Sequence, residues 1–173
     1  MPSQFFRQRP TAMSKPDFVK QFGGIYEHSP WVAEAVYDAR LHPAHDSLEA
    51  LHAAMVEAVA SAPRERKLAL LRAHPDLAGR LAVAGGLTAA STAEQASAGL
   101  DACTPAEFAR FQALNSAYRQ KFDFPFIMAV KGRGRAEILA AFEARAGNEP
   151  DAEFRTALAE VHKIALLRLR ELC

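Results

Sequence analysis

One histidine lies where it could donate a proton. The segment Ala73-His74-Pro75-Asp76 follows a helix predicted from Pro63, which must end there because the residue before a proline is pushed out of the helical region. Carbonyl groups at a helix C-terminus carry the negative pole of the helix dipole and favour imidazolium. With an ordinary pKa of about 6.5, such a histidine suits general acid catalysis. A histidine that only ends a helix fits the same pattern.

A serine and a glutamate follow His74 at intervals of seventeen and twenty residues. Ser91-Thr92-Ala93-Glu94 has the spacing of a capping box, in which each side chain bonds the other residue's backbone amide. The pattern predicts a helix from Ser91 to about Gly99. The amides of Thr92 to Gln95 at such a helix start could bind an anionic or carbonyl-bearing ligand. Spacing alone leaves both the capping role and a convergence with His74 open.

The chain contains six histidines, and only His42 and His45 have even loose metal-ligand spacing. It has no HExxH motif and no cysteine pair at CxxC spacing. We therefore assign no metal ligand. Two alternatives to a cofactor-free enzyme stay open: a metal-dependent hydrolase that uses His42, His45 and His74, and a non-catalytic helical binding module in which His74 and Glu94 only terminate helices.

The stretch from Phe122 to Val130 argues against a helix. It is aromatic, is interrupted by Pro125, and is followed by Gly132 and Gly134, so we predict an extended segment. Four basic residues flank it, and they either steer a carboxylate substrate or are ordinary exposed side chains near a loop: Lys121, Lys131, Arg133 and Arg135.

The elements that must position these groups have the pattern of helices. Apolar residues recur at intervals of three and four, as in Leu48, Leu51, Met55 and Val59. Predicted helices begin at Ser14, at Trp31, after Asp46 or Ser47, at Pro63, at Ser91, after Thr104, at Arg135 and at Asp151. Between Gly79 and Gly86 an Ala-rich segment predicts a brief helix and a mobile loop.

These elements predict an all-α fold, a single compact bundle-like domain of about seven to nine helices with one extended Phe-Pro-Phe loop. Residues 1–13 lack periodicity and are predicted to form a flexible N-terminal lead, which leaves residues 14–173 as the single helical domain.

The amino-acid composition restricts the kinds of molecule that this protein is expected to bind. Lys and Arg number 21 against 20 Asp and Glu, so no strong field attracts nucleic acid or an anionic membrane. No apolar stretch approaches the roughly 18 residues of a membrane span. The two cysteines, Cys103 and Cys173, cannot build a disulfide framework and fit a reducing compartment. We expect a cytoplasmic protein with a small-molecule substrate, and no binding of nucleic acid or membrane.

Six short motifs, taken in order, are specific in combination. They are Tyr26-Glu27-His28-Ser29-Pro30-Trp31, Ala73-His74-Pro75-Asp76-Leu77-Ala78-Gly79, Leu87-Thr88 with Ser91-x-x-Glu94-Gln95, Ala98-Gly99-Leu100, Asn115-x-x-Tyr118-x-x-Lys121-Phe122, and Phe124-Pro125-Phe126-Ile127. Over about residues 14–172 the chain resembles the 2-oxo-4-hydroxy-4-carboxy-5-ureidoimidazoline (OHCU) decarboxylases of urate degradation. It departs from that pattern at Asp123, where the family usually has glycine.

The resemblance implies an all-helical, cofactor-free, homodimeric enzyme that converts OHCU to (S)-allantoin and carbon dioxide. It places the proton donor on His74 and a prominent ligand contact on Glu94. From the chemistry of the substrate we hypothesise that Glu94 binds the 4-hydroxyl and orients the substrate. Further ligand contacts fall on Pro75, Ser91, Thr92, Ala93 and Gln95, and on the backbone of Phe126, Ile127, Met128, Ala129 and Val130.

Overall fold

A computed structural model of the chain describes residues 2–79 and 86–173. In these residues the α-helices are α1 (Lys15–Phe22), α2 (Trp31–Asp38), α3 (Leu48–Ala60), α4 (Arg64–Arg72), α5 (Ala89–Ser97), α6 (Pro105–Phe122), α7 (Arg135–Ala146) and α8 (Pro150–Arg170). Within these ranges, β pairing is limited to the isolated bridge between Phe5 and Ser47. The predicted all-α class and helix number are confirmed for this part of the chain.

Two further expectations from the sequence concern membrane-spanning helices and the Ala-rich segment after Gly79. None of the described helices combines the length and the apolar character needed to cross a bilayer. The brief helix and loop predicted between Gly79 and Gly86 fall on residues 80–85, which lie outside the described residues.

Several helices begin at the predicted caps. The Ser14 hydroxyl accepts a hydrogen bond from the Asp17 amide at 3.3 Å, and Ser47 caps α3. Thr104 and Glu107 form a complete capping box at the start of α6, because each side chain accepts a hydrogen bond from the other residue's amide. These bonds satisfy amides that have no partner inside the helix.

The predicted start of α5 at Ser91 is wrong. The helix begins at Ala89, and its N-cap is Thr88, whose hydroxyl accepts a hydrogen bond from the Ser91 amide at 3.2 Å. The Thr92 amide donates to the Thr88 carbonyl at 2.9 Å. Thr88 caps the helix because the two alanines after it are the best helix formers and extend the helix back to it. Ser91 and Glu94 therefore lie inside the helix and are not its capping box.

The chain divides into two compact units, of which the first comprises the residues up to Ala73 together with His162–Cys173. In this unit α2 packs against α1 and α3. The rings of Phe18 and Phe22 lie 4.8 Å apart at their centroids, and Tyr37 contacts Phe18. Other side chains of its apolar core are Val32, Val36, Leu48, Leu51, Met55, Val59, Leu70, Leu71, Ala165 and Leu169.

Residues 1–13 are predicted from the sequence to be a flexible lead, and the described part of this segment, residues 2–13, contributes contacts to the first unit. Phe6 is 6% exposed and meets Phe22 edge to face at 5.3 Å. The Arg7 amide donates to the Leu172 carbonyl at 3.2 Å, and a 3-10 helix covers Pro10–Ala12. These contacts attach the segment to the first unit.

A buried polar group in the first unit joins Tyr26 to His162. The Tyr26 hydroxyl lies 2.8 Å from His162 Nδ1, and His52 Nε2 lies 2.8 Å from the His162 carbonyl oxygen. Burial, with a smaller contribution from His52, lowers the pKa of His162 to about 4, and burial raises the pKa of Tyr26. His162 is therefore neutral at pH 7, and its Nδ1 shares a hydrogen bond with the Tyr26 hydroxyl.

The second unit, His74–Val161, contains α5, α6, α7 and the first half of α8. Helix α6 packs against α7 around an aromatic cluster. The rings of Phe126 and Phe142 are stacked with centroids 3.9 Å apart, and Tyr118 meets both of them edge to face. The predicted non-helical stretch is confirmed, since the chain leaves α6 after Phe122 and forms neither helix nor strand over residues 125–130.

The left-handed residue Asp123 provides the first prediction. It caps the C-terminus of α6 at φ 63° and ψ 25°, a conformation that costs a non-glycine residue about 1 kcal/mol. Because Asp123 is exposed, Asp123→Gly loses no burial, and we expect a midpoint of thermal unfolding about 1–4 °C higher than that of the natural chain. Asp123→Ala keeps the β-carbon and should give no increase. A glycine variant that melts no higher than the natural chain contradicts this account.

The neutral His162 provides the second prediction. Its pKa in the folded protein, about 4, lies below the unfolded value of about 6.5, so the unfolded chain binds more protons between these pH values. This contribution to the free energy of unfolding is fully present above about pH 6.5 and is lost as the pH falls toward 4. Urea unfolding at pH 7 and pH 5 should show less pH dependence in His162→Gln. An equal slope in His162→Gln and the natural chain contradicts the assignment.

Candidate active site

The histidine predicted to be a proton donor is buried. Helix α4 ends at Arg72, and the amide of its C-cap, Ala73, donates to the Ala69 carbonyl at 3.0 Å. His74 follows directly and is 7% exposed, and Pro75 after it is half-buried. The sequence therefore placed the helix end correctly. The side chain that follows is shielded from bulk water.

Helix α5 is bonded to the segment that begins with His74. Gln95 is 4% exposed, and its Oε1 accepts a hydrogen bond from the Ala78 amide at 3.0 Å. Its Nε2 donates to the Asp76 carbonyl at 3.2 Å. Both ends of this amide thus bind the backbone two and four residues after His74, so the Gln95 side chain positions the segment.

Helix α6 bonds the same segment with one of its faces. Gln112 Nε2 donates to the Ala78 carbonyl at 2.9 Å, Asn115 Nδ2 donates to the Leu77 carbonyl at 3.0 Å, and Arg119 Nε donates to Asp76 Oδ1 at 2.8 Å. Intervals of three and four residues place these side chains on one side of the helix. Asn115 therefore finds a hydrogen-bond partner in the segment after His74.

The backbone of Ala78 depends on these bonds. Its φ of 50° lies in the left-handed region, which costs a non-glycine residue about 1 kcal/mol. Such a conformation persists where the surroundings over-determine it. Here the amide and the carbonyl of Ala78 are both held, by Gln95 and Gln112 respectively.

The segment Phe126–Val130 is fixed through its own backbone. Arg145 Nη1 donates to the Ile127 carbonyl at 2.6 Å, and the Ala129 amide donates to Glu160 Oε2 at 3.0 Å. The other four residues of the segment are buried, and Ala129 is half-buried. The predicted site residues outside α5 thus lie on two segments of the second unit. The segment after His74 is bonded to α5 and α6, and Phe126–Val130 is bonded to α7 and α8.

Helix α5 carries the remaining predicted site residues. Ser91 is 4% exposed, Glu94 is half-buried, and Thr92 and Ala93 are exposed. The hypothesis that the amides of Thr92 to Gln95 form a free donor group is wrong, because these amides follow the capped first turn and bond inside the helix. Ligand contacts from this part of α5 must come from side chains.

Basic residues near the Phe-Pro-Phe segment bind protein groups. Lys121 donates to the Ala146 carbonyl at 2.9 Å. Arg133 pairs with Glu137, and Arg135 Nε donates to Glu107 Oε2 at 3.0 Å. These contacts explain the positions of Lys121, Arg133 and Arg135, and no bound carboxylate is needed to explain them.

The two histidines with loose metal-ligand spacing form a short turn in the first unit. His45 Nδ1 accepts a hydrogen bond from the His42 amide at 3.0 Å, and His42 Nδ1 accepts one from the Ala44 amide at 3.3 Å. Among the described residues, no three His, Cys, Asp or Glu side chains converge as metal ligands do.

Comparison with known proteins assigns a family. The OHCU decarboxylase family model matches residues 11–170. The 2-oxo-4-hydroxy-4-carboxy-5-ureidoimidazoline decarboxylase of Haloferax volcanii is 49% identical over 164 residues, 95% of this chain and 94% of that protein. The uric acid degradation bifunctional protein PucL of Bacillus subtilis is 40% identical over 150 residues, 87% of this chain and 29% of that protein.

The fold is also that of solved structures. A crystal structure of (S)-allantoin synthase matches with a TM-score of 0.73 and 35% sequence identity, over 94% of this chain. The match covers 52% of that chain, so this protein spans about half its length. With the family model and the archaeal relative both matching almost the whole sequence, the chain belongs to the OHCU decarboxylase family.

Proposed function

We propose that this protein catalyses the cofactor-independent decarboxylation of OHCU to (S)-allantoin and carbon dioxide in urate degradation. The observation that carries the proposal is a buried histidine, His74, at the start of a segment that two helices hold by side-chain hydrogen bonds. Membership of the OHCU decarboxylase family and the likeness to an (S)-allantoin synthase structure support the choice of substrate and product.

The chemistry needs few protein groups. The bond between ring carbon 4 and its carboxylate breaks, carbon dioxide leaves, and the electron pair forms a double bond between ring carbons 4 and 5. The carbon–nitrogen double bond of the imidazoline accepts the displaced pair on nitrogen, so the substrate is its own electron sink. The protein has to hold the carboxylate out of the ring plane, exclude water and deliver one proton to one face of carbon 5, while the 4-hydroxyl becomes the carbonyl of allantoin.

His74 is the proposed proton donor. Its imidazolium gives a proton to ring carbon 5, which bears the ureido group, and the histidine recovers a proton from solvent before the next turnover. The hydroxyl proton on carbon 4 moves to the ring nitrogen as the carbonyl of allantoin forms. A donor that is 7% exposed protonates the carbon before bulk water does, which favours one enantiomer. The segment around it is fixed at Asp76, Leu77 and Ala78, and this fixed backbone supports a constant approach of the donor.

Glu94 is the proposed group that binds the 4-hydroxyl and orients the substrate. Since Thr88 caps α5, the carboxylate of Glu94 is not required at the helix start. The further proposed contacts are Pro75, the buried Ser91 and the backbone of Phe126–Val130, while Gln95 contributes by positioning. We also propose that the enzyme is a cytoplasmic homodimer, in accord with its family resemblance.

Replacement of the proton donor tests the mechanism. His74→Asn should lower kcat for OHCU about 10²–10⁴-fold and abolish the enantiomeric excess of allantoin, with the fold retained. OHCU is generated from urate enzymatically, its disappearance is followed by absorbance, and the product by circular dichroism. The control His45→Asn should keep full turnover; its loss would instead favour the metal-dependent alternative. Near-normal rates and chirality in His74→Asn rule out the acid role, and no acceleration by the natural chain favours a binding module.

Replacement of the glutamate separates substrate binding from helix stability. Glu94→Gln should lower kcat/KM about 100-fold, since an amide binds the hydroxyl less strongly than a carboxylate, and should leave the unfolding midpoint within about 2 °C. Thr88→Ala is the matched control because it removes the N-cap of the same helix, which costs about 1 kcal/mol. It should melt about 2–4 °C lower and lose much less activity. The reverse pattern in the two variants would show that Glu94 serves the helix.

A further inference from the structure

A carboxylate with no solvent exposure is connected to the Phe126–Val130 segment through Arg145. Glu153 is 0% exposed. Its Oε1 accepts hydrogen bonds from the Tyr118 hydroxyl at 2.5 Å and from Arg145 Nε at 2.7 Å, and Asn148 Nδ2 donates to Oε2 at 3.1 Å. Arg145 Nη2 lies 2.6 Å from the same Oε1, so the guanidinium neutralises the buried charge.

The other side of this guanidinium faces the segment. Arg145 Nη1 donates to the Ile127 carbonyl at 2.6 Å, and the guanidinium carbon lies 4.3 Å from the centre of the Phe126 ring. The Phe126 ring is in turn stacked on Phe142, with an angle of 9° between the ring planes. One planar cation therefore fixes a backbone oxygen and an aromatic side chain of adjacent residues, while Glu153 fixes the cation.

A second carboxylate fixes the segment two residues further on. Glu160 Oε2, on α8, accepts a hydrogen bond from the Ala129 amide at 3.0 Å. Arg145 lies on α7, so the two side chains hold the segment from different helices. A backbone with no strand partner is thus fixed at one carbonyl and one amide on either side of Met128.

Stability alone does not explain the buried ion pair. Replacing such a pair with apolar side chains of similar size is often neutral or stabilising, because both charges lose their hydration on burial. What apolar side chains cannot supply is the directional bond to the Ile127 carbonyl. Lysine cannot supply it either, since a single ammonium lacks the planar fork that bonds Glu153 and Ile127 at the same time.

We propose that Arg145 and Glu160 are positioning residues, which hold the Phe126–Val130 backbone in the conformation that binds the substrate. The proposal rests on the proposed function of that segment. Neither residue acts on the reacting atoms; each acts through the backbone atom that it bonds. Loss of either bond lets the bound substrate shift relative to His74, and a displacement of about 1 Å can cost a factor of about 100.

Four variants test this with OHCU as substrate. Arg145→Lys and Glu160→Ala should raise KM, lower kcat/KM about 10–100-fold, and lower the enantiomeric excess of allantoin, because a shifted substrate presents both faces to the donor. Glu160→Gln keeps an acceptor oxygen for the Ala129 amide and should restore KM and chirality to within about threefold of the natural values. Arg110→Lys is the matched control, since Arg110 pairs with Glu143 on an exposed surface.

KM and enantiomeric excess distinguish a positioning role from a merely structural one. A partly unfolded variant lowers only the active fraction, so kcat falls while KM and enantiomeric excess stay constant. That result in both Arg145→Lys and Glu160→Ala would overturn the proposal, as would natural kinetics in either variant.

Amide hydrogen exchange needs no substrate, so it tests the positioning role of Arg145 and Glu160 independently of the proposed function. Amide hydrogen exchange at Ala129, followed by NMR, should accelerate in Arg145→Lys and Glu160→Ala, and not in Arg110→Lys or Glu160→Gln. If the natural chain does not act on OHCU, the proposed function fails. Unchanged exchange at Ala129 in the variants would in addition show that Arg145 and Glu160 do not hold the Phe126–Val130 backbone. Faster exchange together with unchanged KM and chirality would overturn the positioning role alone.

Discussion

The structure around His74 depends on hydrogen bonds from side-chain amides to a backbone that has no regular partner. Residues after a helix end have no ladder of backbone bonds, so their polar groups must be satisfied in another way when they are buried. Gln95 and Gln112 satisfy the amide and the carbonyl of Ala78, and Asn115 satisfies Leu77. The same bonds hold Ala78 in its left-handed conformation, and so determine the direction in which the chain leaves His74.

Helix α6 supports two parts of the candidate site at once. Asn115 bonds the backbone that follows His74, and Tyr118, three residues later, packs against Phe126 and bonds the buried Glu153. A rigid helix transmits a displacement at one of these positions to the other. The spacing between the proposed proton donor segment and the proposed substrate-binding backbone is therefore a property of one element, which explains why this helix combines amides with aromatic residues on neighbouring positions.

The sequence was informative where the determining interactions are local. The capping box of Thr104 and the helix break before Pro75 involve neighbours within four residues, and both were predicted. The start of α5 was misjudged because two capping patterns overlap, and the alanines after Thr88 decide between them. The roles of Gln95 and Arg145 could not be predicted, since Gln95 bonds residues 17 and 19 positions away and Arg145 bonds one 18 away. No periodicity in the sequence encodes such pairs.

The number of positioning groups relative to reacting groups fits the proposed chemistry. In a decarboxylation whose substrate retains the electron pair, the protein supplies a proton and a geometry, and only His74 has to exchange a proton. The remaining rate enhancement must come from orientation, which requires that the surrounding backbone has no alternative conformation. Buried polar networks suit this purpose, because a displaced member leaves an unsatisfied group in a medium of low dielectric constant. On this view Glu153 contributes to catalysis through Arg145, by making any other arrangement of that guanidinium unfavourable.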